Sequence, residues 1–362
     1  MKILVLQDHL RSGGTERQSI LLARAFAAAG HPTTLLTFRP GGALAGELSG
    51  VCHHSLLPFD LHLDWFAPRL LRTVAAAAAD IVLCMGRMAN CYAGFVHQHC
   101  PGPAVVSTMR TGKPLPFLFR RSLRRVRHVV ANSHAAKQTL IDDLRLPAAN
   151  ITVIHNSLVF HVAAGAARNE ELRARWGAGP NTTVLLCVAM FRPGKNQREL
   201  VDLAADLPAD LDWQLWLAGD GTTRASCERT VAARRLGSQV KFLGWQRDPT
   251  PLYLAVDIAV HASRTESLSN FVIEAQAYGL PAVVYDVQGI GECFLPDETG
   301  FVLSRGDRGG FQQAIQRLAR ATPAEREARA ARARAYAAAT FDSQQHVHEY
   351  LELFGRLAGS RS

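Results

Sequence analysis

The densest chemistry in the chain lies between residues 263 and 286, SRTESLSNFVIEAQAYGLPAVVYD. A strand-like run, DIAVHAS, ends in a loop that carries Glu266, and a helix is expected to open near Ser267–Asn270, with serines able to cap it. The unpaired N–H groups of such a helix start can hold phosphate oxygens. Glu274 lies about a turn further in, where a carboxylate can accept two hydrogen bonds from a ribose diol. Glu266, in the loop, could reach a sugar hydroxyl beyond the phosphates. Each acid taken singly also fits a surface position on a helix.

Three other constellations sit at expected strand ends. Gly13-Gly14-Thr15-Glu16 follows the first strand and opens a helix, a place where a backbone can approach an anion. Arg192-Pro-Gly-Lys195-Asn196 puts two cations after the strand TTVLLCVAMF, which suits a diphosphate. Gly219-Asp220-Gly221 follows WQLWLAG. Each also reads as an ordinary turn or solvated helix start. Asp210-Leu-Asp212 spells D-x-D, a metal-site pattern, but it precedes a strand instead of ending one. Cys91, His97, His99 and Cys100 contain no C-x2-C pair, so no metal site is expected there.

These segments need a scaffold of alternating strands and helices. KILVLQ, PTTLLTF, IVLCMG, AVVSTMR, RHVVANS and ITVIHN are strand-like in the first half. TERQSILLARAFAAAG is an amphipathic helix that ends at Gly30. TTVLLCVAMF, WQLWLAG, VKFLGW, DIAVHAS, PAVVYD and GFVLS repeat the logic in the second half. Alternation of this kind predicts an α/β protein with two doubly wound, Rossmann-like domains, whose parallel sheets face each other across a cleft that is the default ligand site. A composition change over residues 157–181 places the boundary near residue 165. The expected division is 1–165, 166–340 and a terminal helix, 341–362.

The bulk numbers set limits. At 362 residues, with 48% hydrophobic and 20% charged, the chain suits two globular domains. No apolar run reaches the roughly 18 residues of a membrane span, and MKILVLQDHL reads as a strand rather than a signal peptide. Seven scattered cysteines read as reduced thiols. A cytoplasmic location is expected, with peripheral attachment to the inner face of a membrane as an option. Residues 1–165 hold 17 Lys and Arg against 8 Asp and Glu, which is the whole of the net charge of +9; residues 166–362 hold 23 of each sign. The basic half predicts an anionic partner. Its densest segment is FLFRRSLRRVRH, residues 117–128. On a helix, Phe119, Leu123 and Val126 would share one face and Arg120, Arg124 and Arg127 the next, which fits an anionic membrane surface and equally a solvated helix. No nucleic-acid motif accompanies the charge.

The order of motifs resembles that of the family-4 glycosyltransferases, retaining enzymes of the GT-B fold. Glu266, seven residues, Glu274 and then AQAYGLP match the family's Glu-x7-Glu hallmark with its G-x-P turn. GGTERQ, ANSHAAK, VIHNS, VAMFRPGKN, LAGDG, VKFLGW, VQGIGE and TGFVL follow the family's order along nearly the whole chain. The resemblance implies transfer of a sugar from a nucleotide diphosphate sugar to an acceptor glycan or lipid-linked saccharide, without metal or other cofactor. It implies a donor site of Gly14, Arg192, Lys195, Gly219, Glu274 and the backbone N–H groups of Leu268, Ser269 and Asn270. Glu266, Lys195 and Arg110 would serve the reacting centre, and Glu16 with Arg120, Arg124 and Arg127 the acceptor or membrane side. The last helix would cross back to the N-terminal domain. Met190 stands where many members have Arg, and Arg110 where many have His. A sugar-nucleotide epimerase or hydrolase of the same fold, or a non-catalytic sugar-nucleotide-binding protein, are the alternatives.

Overall fold

The computed structural model describes residues 1–60, 63, 65–158 and 167–359. It divides into two compact units, Met1–Val159 with Asp342–Ser362, and Phe160–Phe341. The boundary expected near residue 165 lies outside the described residues.

The first unit holds seven strands: β1 (Ile3–Gln7), β2 (Thr33–Thr37), β3 (Cys52–Ser55), β4 (Ile81–Cys84), β5 (Ala104–Met109), β6 (His128–Ala131) and β7 (Ile151–Val153). They run in the order β3-β2-β1-β4-β5-β6-β7, and all pairings are parallel. The second unit holds β8 (Thr183–Val188), β9 (Trp213–Ala218), β10 (Val240–Gly244), β11 (Ile258–His261), β12 (Ala282–Tyr285) and β13 (Gly300–Leu303). Their order is β10-β9-β8-β11-β12-β13, again parallel. Both sheets are doubly wound and Rossmann-like, as the alternation predicts.

Covered faces explain the strand sequences. Every residue of β1, β4, β5, β9 and β11 is buried, so these strands read as nearly continuous apolar runs. β3, with the sequence CHHS, escaped the reading of the chain because it is an edge strand with alternating exposure and no apolar run.

The helix Gly14–Ala28 packs Ile20, Leu22, Ala23 and Phe26 under the first sheet. Gly30 then takes φ +85, the left-handed turn that ends the helix. The terminal helix, Ser343–Gly359, joins the same core. Phe26 meets Tyr350 and Phe354 edge-on at 5.9 and 5.6 Å. Gln18 clamps the backbone after β7: its Nε2 donates to Ser157 O at 2.6 Å and its Oε1 accepts from Ser157 N–H at 3.0 Å. Ser157 Oγ in turn pairs with His346 Nδ1 at 3.2 Å. In the second unit, fully buried Arg173 donates to the carbonyls of Ala255, Gly179 and Thr182 and pairs with Asp257. One side chain thus satisfies three loop carbonyls that would otherwise be costly to bury.

Candidate functional site

The strand order of the second unit reverses between β8 and β11, where β8 has β9 on one side and β11 on the other. Ligands of such sheets sit beyond the carboxyl ends of the strands at that reversal. Arg192–Asn196 leaves β8 and Ser263–Asn270 leaves β11, so two segments distant in sequence emerge side by side. Hydrogen bonds knit them together. Arg264 N–H and Ser263 Oγ both donate to Gly194 O, at 2.8 and 2.9 Å, and Asn196 Nδ2 donates to Ala262 O at 3.3 Å. Asn196 takes φ +55, a left-handed conformation that Asn tolerates, and turns the chain into the helix Gln197–Ala205.

Glu266 is buried, with 8% of its surface exposed. Its Oε1 receives both Lys195 Nζ and His261 Nε2, the latter at 2.7 Å. Among the described residues its Oε2 has no hydrogen-bond partner. Burial pushes the Glu266 carboxyl up, but the Lys195 ammonium and the His261 hydrogen bond outweigh it and hold the group well below the usual carboxylate range. Burial lowers the His261 imidazole against the opposing pull of Glu266. His261 Nδ1 lies 3.9 Å from Cys187 Sγ. Burial pushes that thiol up to about 12. Lys195 and Glu266, expected to serve phosphate and sugar separately, therefore form one ion pair.

The helix after this loop runs from Asn270 to Ala277. Ser269 occupies its N-cap position, but the hydroxyl makes no capping hydrogen bond, contrary to the expected serine cap. The Ser269 N–H donates instead to Cys293 Sγ at 3.3 Å. Of the three N–H groups expected to hold phosphate, that of Ser269 thus has a thiol as its partner. Glu274 is 8% exposed, and its Oε2 accepts from Tyr253 Oη at 2.5 Å. The Tyr253 ring is fixed by stacking on Tyr278, with centroids 5.1 Å apart and planes at 20°, and on Phe271 at 6.3 Å and 22°.

Among the described residues, Arg192 Nε is buried without a hydrogen-bond partner. Met190, in the same loop, is 38% exposed. Gly219 has a packing reason to be glycine: its φ is +136, and a Cβ there would lie 2.1 Å from Ala189 O. Asp210 and Asp212 diverge, Asp210 to Arg320 at 2.9 Å and Asp212 to Thr182 Oγ1 at 2.6 Å, so the D-x-D pattern forms no paired site.

In the first unit, Gly14 is the first residue of its helix and Gly13 the N-cap. The Glu16 carboxylate lies so close over Gly13 that a Cβ there would meet its Oε2 at 2.4 Å. Asp8, just beyond β1, accepts from Met88 N–H at 2.9 Å and Ala89 N–H at 2.7 Å, and so occupies the start of the helix Arg87–His99 with an internal carboxylate. Arg110 follows β5, and its guanidinium donates to Asn156 Oδ1 and, at 2.7 Å, to Tyr350 Oη. Both partners are neutral. A guanidinium only donates, so Arg110 cannot accept a proton or hydrogen bond as an imidazole can.

The basic segment differs from its expected form. Its helix covers only Phe117–Leu123, and Arg124 is the C-cap. Val126 and Arg127 therefore lie past the helix end rather than on its faces. Phe119, Leu123 and Val126 are nevertheless buried, as expected. Phe117 and Leu118 are 72% and 59% exposed. Phe117 lines an open hollow of about 530 Å³ with Leu115, Arg120, Arg121, Arg124 and Arg125. None of these four arginines, nor Arg127, has a carboxylate partner among the described residues.

Residues 168–336 match the family described as "Glycosyl transferases group 1", and residues 12–158 match "Glycosyltransferase Family 4". The chain belongs to the family-4 glycosyltransferases. Its GT-B fold is shared with solved structures that span the whole chain. HepE of Anabaena, in complex with UDP and glucose, has a TM-score of 0.83 and 22% identity, with 98% of this chain and 99% of that one covered. TarM of S. aureus has a TM-score of 0.79 and 12% identity, covering 98% and 100%. Among curated relatives, the lipopolysaccharide core biosynthesis glycosyltransferase LpsE of Rhizobium meliloti is 32% identical over 40% of this chain and 42% of its own length. The N-acetyl-alpha-D-glucosaminyl L-malate synthase of Bacillus anthracis is 30% identical over 41% of this chain and 39% of its own. The chain thus spans about two fifths of the length of these relatives.

Within the family-4 pattern, the Glu-x7-Glu segment sits at the strand reversal of the second unit. Three contributors to that site, His261, Tyr253 and Cys293, carried no sequence signal of their own. His261 sat inside a run read as strand, and Tyr253 and Cys293 lie 21 and 24 residues from their partners.

Proposed function

We propose that the protein is a retaining glycosyltransferase that uses a nucleotide diphosphate sugar and needs no metal. The observation that carries this reading is the convergence of Lys195, Glu266, Glu274 and a helix start at the β8/β11 reversal. Glu274, aimed by Tyr253, binds the ribose diol. The N–H groups of Leu268 and Asn270, with Arg192 and Lys195, take up the charge that develops on the departing diphosphate. Glu266 offers its Oε2 to a sugar hydroxyl while Oε1 stays engaged. Gly219 supports the site through packing. UDP, present in the HepE complex, is the first nucleotide to try. Incubation with a panel of nucleotide sugars, with the product anomer read by NMR, tests the reading. Release of free sugar at the same rate without acceptor would favour the hydrolase alternative, and an intact donor in every assay would favour a binding protein.

The acceptor in this reading is a lipid-linked saccharide or polysaccharide precursor, met at an anionic membrane surface with Glu16 on the acceptor side. The arginine-lined hollow beside exposed Phe117 and Leu118 supports it, because guanidinium groups without a carboxylate partner attract anionic headgroups at about 1 kcal/mol each. Among the described residues no helix is long and apolar enough to cross a membrane. Sedimentation with phosphatidylglycerol vesicles should capture the protein, and phosphatidylcholine vesicles should not. Replacing Arg120 and Arg124 by Glu should release it; unchanged capture contradicts the assignment.

A further inference from the structure

Behind Glu266 lies a buried file of side chains with no role in the reading above. Cys187, on β8, is 1% exposed, and His261, the last residue of β11, is also 1% exposed. His261 Nε2 is 2.7 Å from Glu266 Oε1, and its Nδ1 is 3.9 Å from Cys187 Sγ. The direction of these bonds follows from the end groups. An ionised carboxylate only accepts, so Nε2 must carry the proton. A neutral imidazole then presents Nδ1 as an acceptor, and a thiol that stays protonated can donate to it, weakly, at this distance.

We propose that His261 is a positioning residue: Cys187 S–H to His261 Nδ1 and His261 Nε2–H to Glu266 Oε1 form a fixed chain that locks the Glu266 carboxylate with Oε2 presented to the sugar. Lys195 alone would not do this, because a flexible ammonium follows the carboxylate as it turns, whereas a ring held in a packed strand cannot. The other groups facing Glu266 and His261 are Lys195 and Arg192 from the loop after β8 and Cys293 from the turn after β12. Among the described residues, only His261 and Lys195 make hydrogen bonds to Glu266. The proposal rests on the donor-site reading.

The test compares His261→Leu, which removes the donor, with His261→Gln, whose amide nitrogen falls near Nε2. His261→Leu should lower kcat by about tenfold or more, the scale of a misplaced group, while Kd for UDP stays within about twofold. Its acid limb of kcat should move to higher pH, because Glu266 loses a hydrogen bond that favours its charged form. His261→Gln should recover most of both. Native kcat and an unmoved acid limb in His261→Leu, or a Gln variant no better than Leu, would overturn the proposal. A native protein that binds no nucleoside diphosphate would instead remove the donor-site reading beneath it. If the Leu variant does not fold, ¹⁵N-histidine NMR of the native protein still decides. His261 should be the neutral Nε2–H tautomer from about pH 6 to 8; an Nδ1–H tautomer would overturn the assignment.

Discussion

Removal of one oxygen from Tyr253 gives a sharp test of how the ribose carboxylate is held. Tyr253→Phe deletes the hydroxyl that donates to Glu274 Oε2 at 2.5 Å. The ring should stay in place, since it is 2% exposed and stacked on Tyr278 and Phe271. The bond to Glu274 that is lost has a carboxylate acceptor and is worth about 1.5–3 kcal/mol. Because that bond exists with and without ligand, its energy falls on stability, and UDP binding weakens only by the cost of ordering a carboxylate no longer held, about 0.5–1.5 kcal/mol or about 2- to 12-fold in Kd. Pyrophosphate has no ribose and should bind both proteins within about twofold. The lost bond itself should lower the melting temperature by a few degrees, at about 2–4 °C per kcal/mol for a unit of this size. Calorimetry with the two ligands reads the first pair of numbers and a thermal melt the third. Equal weakening of UDP and pyrophosphate, or unweakened UDP, would refute a ribose role for the Tyr253–Glu274 pair.

Gly219→Ala should destabilise the second unit by about 3 kcal/mol or more in a urea melt, because its Cβ would press on Ala189 O at 2.1 Å in a left-handed conformation. Glu266 is held below its ordinary carboxylate value, so it adds stability above about pH 4.5, and that contribution is lost as pH falls through the lower, folded value. The gap in stability between native protein and Glu266→Gln should accordingly shrink below pH 4.5 in denaturant melts. Cys187 and Cys293 are buried and their thiols raised, so iodoacetamide should modify exposed Cys52 first and reach those two only on unfolding, as read by mass spectrometry. Turnover should survive EDTA, since Arg192, Lys195 and the helix start supply the positive charge that a metal would otherwise bring; loss of turnover restored by a divalent cation would contradict this.

Much of the fold was legible because both sheets are covered on two faces. Burial on both sides gives apolar runs such as KILVLQ and TTVLLCVAMF that need no alternation to be seen. β3 was not legible, because an edge strand of Cys, His, His and Ser leaves no such trace. The Glu266–Glu274 segment stood out since its loop, helix and turn are contiguous. Of the groups that orient it, Tyr253 comes from a short helix and Cys293 from the turn after β12, so only tertiary contact joins them to it. Ser269 shows the limit of local chemistry: a serine stood at the right place to cap, but its hydroxyl caps nothing and its N–H found a cysteine thiol. The basic segment shows another, since the helix stops at Leu123 and the next arginines follow a turn rather than a helical face.

Glu274 and the helix start beside it should together grip a nucleoside diphosphate. Calorimetric titration of UDP and GDP into the native protein and into Glu274→Ala tests it most directly. One site per chain should appear in the native protein with at least one of these ligands, weakened by about tenfold or more in the variant while pyrophosphate binding persists. No heat with either nucleotide, or the same affinity in the variant as in the native protein, would contradict the account.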